Sequence, residues 1–230
     1  MEAIILAGGL GTRLRDVITG LPKPMAPVNN KPFLHYLFKW IKQYPVKKLV
    51  ISAGYKSESI VSYFGNSIFD IPVEYVIEDK PLGTGGAVIY ALHKTSGPEV
   101  LILNGDTYFP INLNKLVAFH SVNKSGFTVA LKRMHDFDRY GTVECRGHAI
   151  VKFNEKKFCS DGLINGGIYL INRELIESWE LSGAFSLEKD VMEKVAGKSA
   201  LKGMVFDDLF IDIGIPEDYH KAALILKAYD

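Results

Sequence analysis

The sequence is short of the features that would assign it to several common classes. Of its 230 residues only two are cysteine, Cys145 and Cys159. That is too few for a disulfide framework and fits two ordinary thiols in a reducing, cytoplasmic compartment. Charge is nearly balanced, with 27 Lys and Arg against 26 Asp and Glu. Such a balance leaves no footprint for nucleic acid or for a membrane surface. No apolar run approaches the ~18 residues of a membrane span. The N-terminus carries Glu2 and no basic stretch ahead of a long apolar segment, so no secretory signal is expected. The six histidines lack metal-ligand spacing, and no Ser-His-Asp or Cys-His set for nucleophilic catalysis stands out. Repeats, low-complexity stretches and linkers are missing too, which leads us to expect one domain over residues 1–230.

What is present is an alternation of strand and helix signals. Apolar runs at 3–7, 49–51, 73–77 and 100–103 read as buried strands. Between and after them, 31–44, 57–64, 84–94 and 113–122 read as helices. In the first, Leu34, Leu37, Phe38 and Ile41 share one face and Pro45 ends the run. Ser57 is a candidate cap of the second. This order predicts a mostly parallel α/β sheet flanked by helices. From Phe127 the texture changes. Strand signals at 127–131, 141–145, 149–153 and 167–171 follow without helices between them, and predict an added, partly antiparallel β layer where a second substrate would sit. Helices are expected at 173–179 and 187–196, a short strand at 210–211, and a last helix opened by Pro216.

Four segments carry candidate chemistry. The first strand runs into Ala7-Gly8-Gly9-Leu10-Gly11-Thr12-Arg13-Leu14, and Pro22-Lys23-Pro24-Met25 follows. Glycines let backbone N–H groups approach an anion, and Arg13 and Lys23 add positive charge suited to phosphate. The pattern is neither the Gly-Lys-Ser/Thr phosphate loop nor the dinucleotide fingerprint, which needs glycine where Leu14 stands. Asn104-Gly105-Asp106-Thr107 follows the fourth strand, at the end where open parallel sheets bind ligands. Asp212 interrupts the apolar stretch Phe210-Ile211-Asp212-Ile213, which is costly unless a partner such as a metal ion offsets its charge. Finally, Glu78-Asp79-Lys80-Pro81-Leu82-Gly83-Thr84-Gly85-Gly86-Ala87 is a second glycine-rich turn. A carboxylate accepts only, and guanine offers two adjacent donors where uracil and thymine offer one, so Glu78 favours GTP if a base docks here.

These segments together resemble the signature of the sugar-phosphate nucleotidyltransferases, Gly-Gly-x-Gly-Thr-Arg-Leu followed by Pro-Lys-Pro-Met. The resemblance runs from Glu2 to about Ala222. It implies a Rossmann-like nucleotide-diphospho-sugar transferase fold with a small β layer over the sugar site. It implies a nucleotide site made of Leu6, Ala7, Gly8, Gly9, Gly11, Thr12, Arg13, Lys23, Glu78, Gly83 and Thr84. Asp106 matches the metal-binding aspartate of the family's Gly-Asp motif. Asp212 matches the second magnesium ligand in Trp-x-Asp-Ile-Gly-Thr-Pro-Glu-Asp-Tyr, although Phe210 and Ile215 replace the usual tryptophan and threonine. Arg13, Lys23, Asp106 and Asp212 are then the catalytic set, with Mg2+ as cofactor. Tyr140-Gly141, Phe153-Asn154-Glu155-Lys156 and Asn165-Gly166-Gly167-Ile168-Tyr169 resemble the sugar-phosphate pocket. Tyr140, Gly141, Glu155, Lys156, Asn165 and Gly167 are its implied contacts, with Lys157 standing where proline is usual. The hexapeptide β-helix that some members carry at the C-terminus is not seen here.

Segments 81–87, 134–143 and 163–169 look most like the bacterial heptose 1-phosphate guanylyltransferases. That implies GTP and a sugar 1-phosphate as substrates and a GDP-heptose for surface polysaccharide as product. The alternatives are mannose 1-phosphate guanylyltransfer, a uridylyl- or thymidylyltransfer to a hexose phosphate, and a non-catalytic nucleotide-sugar sensor. A sensor has no need for the aspartate pair.

Overall fold

The computed structural model describes residues 1–9, 11, 14, 18, 20–198 and 200–229. Along the chain come β1 (Glu2–Ala7), a 3-10 turn at Lys23–Met25, β2 (Pro27–Val28), β3 (Lys31–Pro32), α1 (Phe33–Ile41), β4 (Lys48–Ala53), α2 (Ser57–Phe64), β5 (Ser67–Ile68), β6 (Ile71–Ile77), α3 (Gly83–Leu92) and β7 (Glu99–Asn104). Then follow β8 (Thr107–Tyr108), α4 (Leu113–Val122), β9 (Phe127–Phe137), β10 (Thr142–Arg146), β11 (Ala149–Phe153), β12 (Cys159–Asn172), α5 (Arg173–Glu177), a π-helical turn at Leu187–Met192 running into α6 (Glu193–Val195), β13 (Leu201–Phe206), β14 (Ile211–Asp212) and α7 (Pro216–Leu226).

Successive side chains of β1 point to opposite faces, and Ala3, Ile4 and Ile5 are all fully buried. A strand buried on both faces belongs in the middle of a sheet covered on both sides. β1 accordingly pairs in parallel with β4 and β7, and β6 extends the parallel set beyond β4. One face packs Ala3 and Ile5 against Leu34, Leu37, Phe38 and Ile41 of α1, with Leu116 of α4 and Leu226 of α7. The other packs Ile4, Val50 and Val76 against Val88, Ala91 and Leu92 of α3, with Val191 and Met192. Each fully buried Leu, Ile or Phe contributes roughly 1.5–3 kcal/mol of transfer free energy. Among the described residues no helix is long and apolar enough to cross a membrane. Cys145 and Cys159 are free thiols.

The strands after Phe127 form the expected partly antiparallel unit, and it is continuous with the central sheet. β12 runs antiparallel to β7 and to β9, giving one ten-stranded mixed sheet in the order β10-β11-β13-β9-β12-β7-β1-β4-β6-β5. β9 and β12 are far longer than their apolar cores at 127–131 and 167–171. In their outer halves Asp161 pairs with His135 and Leu163 with Arg133, and an exposed side-chain ion pair joins Arg133 to Asp161, so they leave no continuous apolar pattern. Ser57 does not cap α2: the cap position is Lys56, in a left-handed conformation (φ 52°), and no side chain caps the helix. Ser57 is the first helical residue instead. The 187–196 segment is a π-helical turn followed by a short α-helix.

Candidate active site

Because β1, β4, β6 and β7 are parallel, their carboxyl ends share one edge of the sheet. The chain leaves β1 in one direction for β4 and β6, then returns to β7 on the other side of β1. That reversal opens a crevice at the strand ends. A cavity of about 560 Å³ lies there. Leu6, Gly8, Gly9, Gly11, Lys23, Glu78, Gly83, Thr84 and Asp106 line it, so nine of the residues expected from sequence meet in one place. Ala7 ends β1 beside them and is buried. Thr12 and Arg13 lie outside the described residues. Gly11 has φ +58°, and a Cβ on it would stand 3.0 Å from Lys23 Cβ, so glycine here lets the loop close over the lysine.

Lys23 is the electrostatic hub. Its Nζ donates to Asp106 Oδ2 at 2.6 Å and to Asp212 Oδ1 at 3.3 Å. The two carboxylates come from distant segments. A two-stranded antiparallel ribbon of β8 and β14 joins them, with Asp212 opposite Thr107. The Ile213 N–H also donates to the Asp106 carbonyl at 3.2 Å. Gly214 leaves room for the Asp212 carboxylate, since a Cβ there would stand 3.0 Å from Oδ1. Tyr140 hydroxyl donates to Asp212 Oδ2 at 3.3 Å, and its ring packs edge-on against Phe210. Burial, and then the Asp212 carboxylate, push the Tyr140 hydroxyl well above its ordinary range, so it stays a donor at neutral pH. Arg139 pairs with Asp218 of α7, tying the Tyr140 loop to the segment that bears Asp212. The structure therefore puts Tyr140, expected at the sugar, against the carboxylate pair.

Glu78 follows β6 and is held on both oxygens. Ser52 Oγ donates to Oε1 at 3.0 Å and Leu82 N–H donates to Oε2 at 3.0 Å. Each oxygen keeps acceptor capacity, and Glu78 lines the cavity. The glycines of the following turn have a local reason. Gly83 has φ +68°, and a Cβ there would sit 2.5 Å from the Phe185 carbonyl oxygen. A Cβ on Gly85 would strike the Phe185 ring, and the Phe185 carbonyl accepts from Gly85 N–H at 3.0 Å. Segment 183–187 thus seals one side of the turn. Thr84 turns its hydroxyl toward Glu188 Oε2 at 2.7 Å.

The remaining expected residues divide. Asn165 donates to the Tyr169 hydroxyl and accepts from Gly167 N–H, both at 2.9 Å, at a register shift in the β9–β12 pairing. Gly167 (φ +72°) abuts Asn104, a cavity-lining residue that sequence reasoning left without a role. Asn104 Oδ1 is buried with no hydrogen-bond partner among the described residues. Gly141 lies against the Asn154 carbonyl. Glu155 and Lys156 are exposed on the loop between β11 and β12 and do not line the cavity. Ser52, Phe185 and Glu188 also escaped the sequence reading, because nothing local separates them from strand or surface residues.

A glycine-lined cavity, a cation and two converging carboxylates suit a polyphosphate bound with a metal ion. The nucleotidyl transferase family model matches residues 2–228. The chain is 48% identical to a D-glycero-alpha-D-manno-heptose 1-phosphate guanylyltransferase of Aneurinibacillus thermoaerophilus, covering all of both chains. It is 46% identical to the enzyme of that name from Campylobacter jejuni, over 96% of this chain and 97% of that one. The crystal structure of HddC from Yersinia pseudotuberculosis complexed with GMP-PN superposes with a TM-score of 0.87 at 34% identity, over 98% of this chain and 99% of the other. The chain belongs to the nucleotidyl transferase family.

Proposed function

We propose that this chain transfers GMP from GTP to D-glycero-alpha-D-manno-heptose 1-phosphate, giving a GDP-heptose and pyrophosphate. The observation that carries the choice of base is Glu78, a cavity-lining carboxylate fixed on both oxygens that keeps acceptor capacity on each. It matches the N1–H and 2-amino donors of guanine. The full-length relatives named above support the sugar.

An oxygen of the sugar phosphate attacks the α-phosphorus, the bond to the bridging oxygen breaks, and pyrophosphate leaves with the electron pair. The nucleophile is already an anion, so no side-chain base is needed. The difficulty is bringing two anions together, and catalysis rests on position and charge. Lys23 neutralises charge at the α-phosphate, with Arg13 assigned the same task by its motif. The glycine loop lets backbone N–H groups reach the triphosphate. Lys156, which stands on an exposed loop outside the cavity lining, is assigned the phosphate of the sugar by its motif alone.

Asp106 and Asp212 would hold magnesium. The fit is good, because their hard oxygens already converge on one cationic centre, the Lys23 ammonium. Among the described residues no third His, Cys, Asp or Glu joins them, so phosphate oxygens and water would complete the shell. Bound magnesium supplies charge neutralisation on the triphosphate.

The test is pyrophosphate release with GTP, UTP, dTTP, CTP and ATP, each paired with heptose, mannose and glucose 1-phosphates. Release with GTP and the heptose alone is expected. Release with mannose 1-phosphate instead moves the sugar and keeps the base. Release with UTP or dTTP overturns the reading of Glu78. Silence with tight nucleotide-sugar binding points to a sensor.

A further inference from the structure

We infer that Glu188 is a positioning residue that couples the nucleobase side of the site to the sugar side. Its carboxylate sits at the middle of a continuous hydrogen-bond chain. On one side, Thr84 Oγ donates to Glu188 Oε2 at 2.7 Å, and Thr84 Oγ itself accepts from Leu187 N–H at 2.8 Å. Ser186 Oγ adds a second donor to Oε2 at 2.8 Å. On the other side, Tyr169 hydroxyl donates to Glu188 Oε1 at 3.4 Å. That hydroxyl accepts from Asn165 Nδ2 at 2.9 Å, and Asn165 Oδ1 accepts from Gly167 N–H at 2.9 Å. The chain links the turn that follows Glu78 to the turn at 165–167, and it needs every direction it shows. Gly167 N–H fixes Asn165 Oδ1, so the amide nitrogen faces the Tyr169 oxygen and the Tyr169 proton is left for Glu188. Tyr169 is fully buried, so its ring cannot swing to another partner. Asn165 is therefore oriented from below by a carboxylate that also fixes Thr84.

The inference rests on the reading of those two turns as base side and sugar side. Its test separates the two arms. In Glu188→Gln the amide oxygen is expected on the Oε2 side, where two hydroxyls donate against one at Oε1. The amide nitrogen then faces Tyr169, whose proton loses its acceptor. The Tyr169 arm breaks while the Thr84 arm survives. Steady-state kinetics should show KM for the sugar 1-phosphate rising about tenfold, the usual order for one lost bond to a charged group, with KM for the nucleotide unchanged. Tyr169→Phe should match it, and the double variant should be no worse than either single one. Glu188→Ala should raise both KM values.

Unchanged sugar-phosphate KM in Glu188→Gln and Tyr169→Phe overturns the coupling. So do effects that multiply in the double variant, or equal rises in both KM values for Glu188→Gln, which mark general loosening. The wild type is assayed first across the nucleotide and sugar panel. Turnover with a pair other than GTP and the heptose overturns the proposed substrates, and the coupling is then read on that pair. Silence with every pair overturns both.

Discussion

Replacing Glu78 with glutamine tests the base assignment with almost no change in shape. The orientation of the new amide is fixed by its neighbours. Leu82 N–H can only donate, so the amide oxygen must keep the place of Oε2. The amide nitrogen takes the place of Oε1, where Ser52 hydroxyl can accept from it. Its second hydrogen then points at the base. One of the two guanine donors still meets an oxygen, and the other meets a donor. A lost hydrogen bond to a charged group is worth about 1.5–3 kcal/mol, or roughly 10- to 100-fold in kcat/KM for GTP. Uracil presents one donor beside an acceptor, which is what the glutamine offers. The ratio of kcat/KM for GTP over UTP should therefore fall by at least about tenfold, measured by pyrophosphate release. Unchanged GTP kinetics in Glu78→Gln would refute the reasoning, because no other outcome follows from a carboxylate that reads two donors.

Gly83→Ala places a Cβ against the Phe185 carbonyl in a left-handed backbone, and should destabilise by roughly 2–4 kcal/mol. Thermal unfolding should show a Tm lower by about 5–10 °C, while Gly9→Ala, with nothing within 4 Å, should stay within about 0.5 kcal/mol of wild type. Lys23→Ala should lower kcat by roughly 100-fold or more with far-UV circular dichroism unchanged, since it removes the charge facing the α-phosphate. Glu2 gives a pH dependence. Burial pushes its carboxyl up, but the Ser96 and Gly97 N–H groups and Lys48 more than offset this and leave it below its ordinary value. Its contribution is present above the unfolded pKa and is lost as pH falls through the lower folded pKa. Glu2→Gln should thus be less stable than wild type at neutral pH, with the gap closing below the ordinary carboxylate range in urea unfolding across pH.

How legible each part was depended on what held it. Helices α2 and α4 and strand β11 match the expected bounds, and in α1 the residues spaced on one face, Leu34, Leu37, Phe38 and Ile41, are all buried. β13 went unseen: Gly203 interrupts Leu201–Phe206, and the strand is recruited by its parallel pairing with β9. A Cβ at Gly203 would strike Leu131, so that glycine serves packing and at the same time hides the strand. Within the site, the glycine loop, Lys23 and both aspartates carry a motif and were readable. The sealing of the second glycine turn by Phe185 was not, since the partners lie about a hundred residues apart and no local chemistry announces the contact. The Tyr140 hydroxyl on Asp212 is equally a product of tertiary placement.

The β8–β14 ribbon has a consequence for the order in which the molecule is made. The ten-stranded sheet draws its last strand from Leu201–Phe206. Asp212, and the Asp218 that braces its neighbourhood, emerge only afterwards. Proteins are synthesised from the N-terminus, and domains fold as their parts become available. A nascent chain ending before Ile211 already holds the glycine loop, lysine and first aspartate, yet lacks the second carboxylate and the core residues Ile213, Ala222 and Leu226. Chemical competence is the final step of assembly, switched on by two residues of strand pairing. A chain interrupted just before Ile211 would lack both the second carboxylate and the α7 cover of one sheet face, so the ribbon and the helix after it complete core and site together.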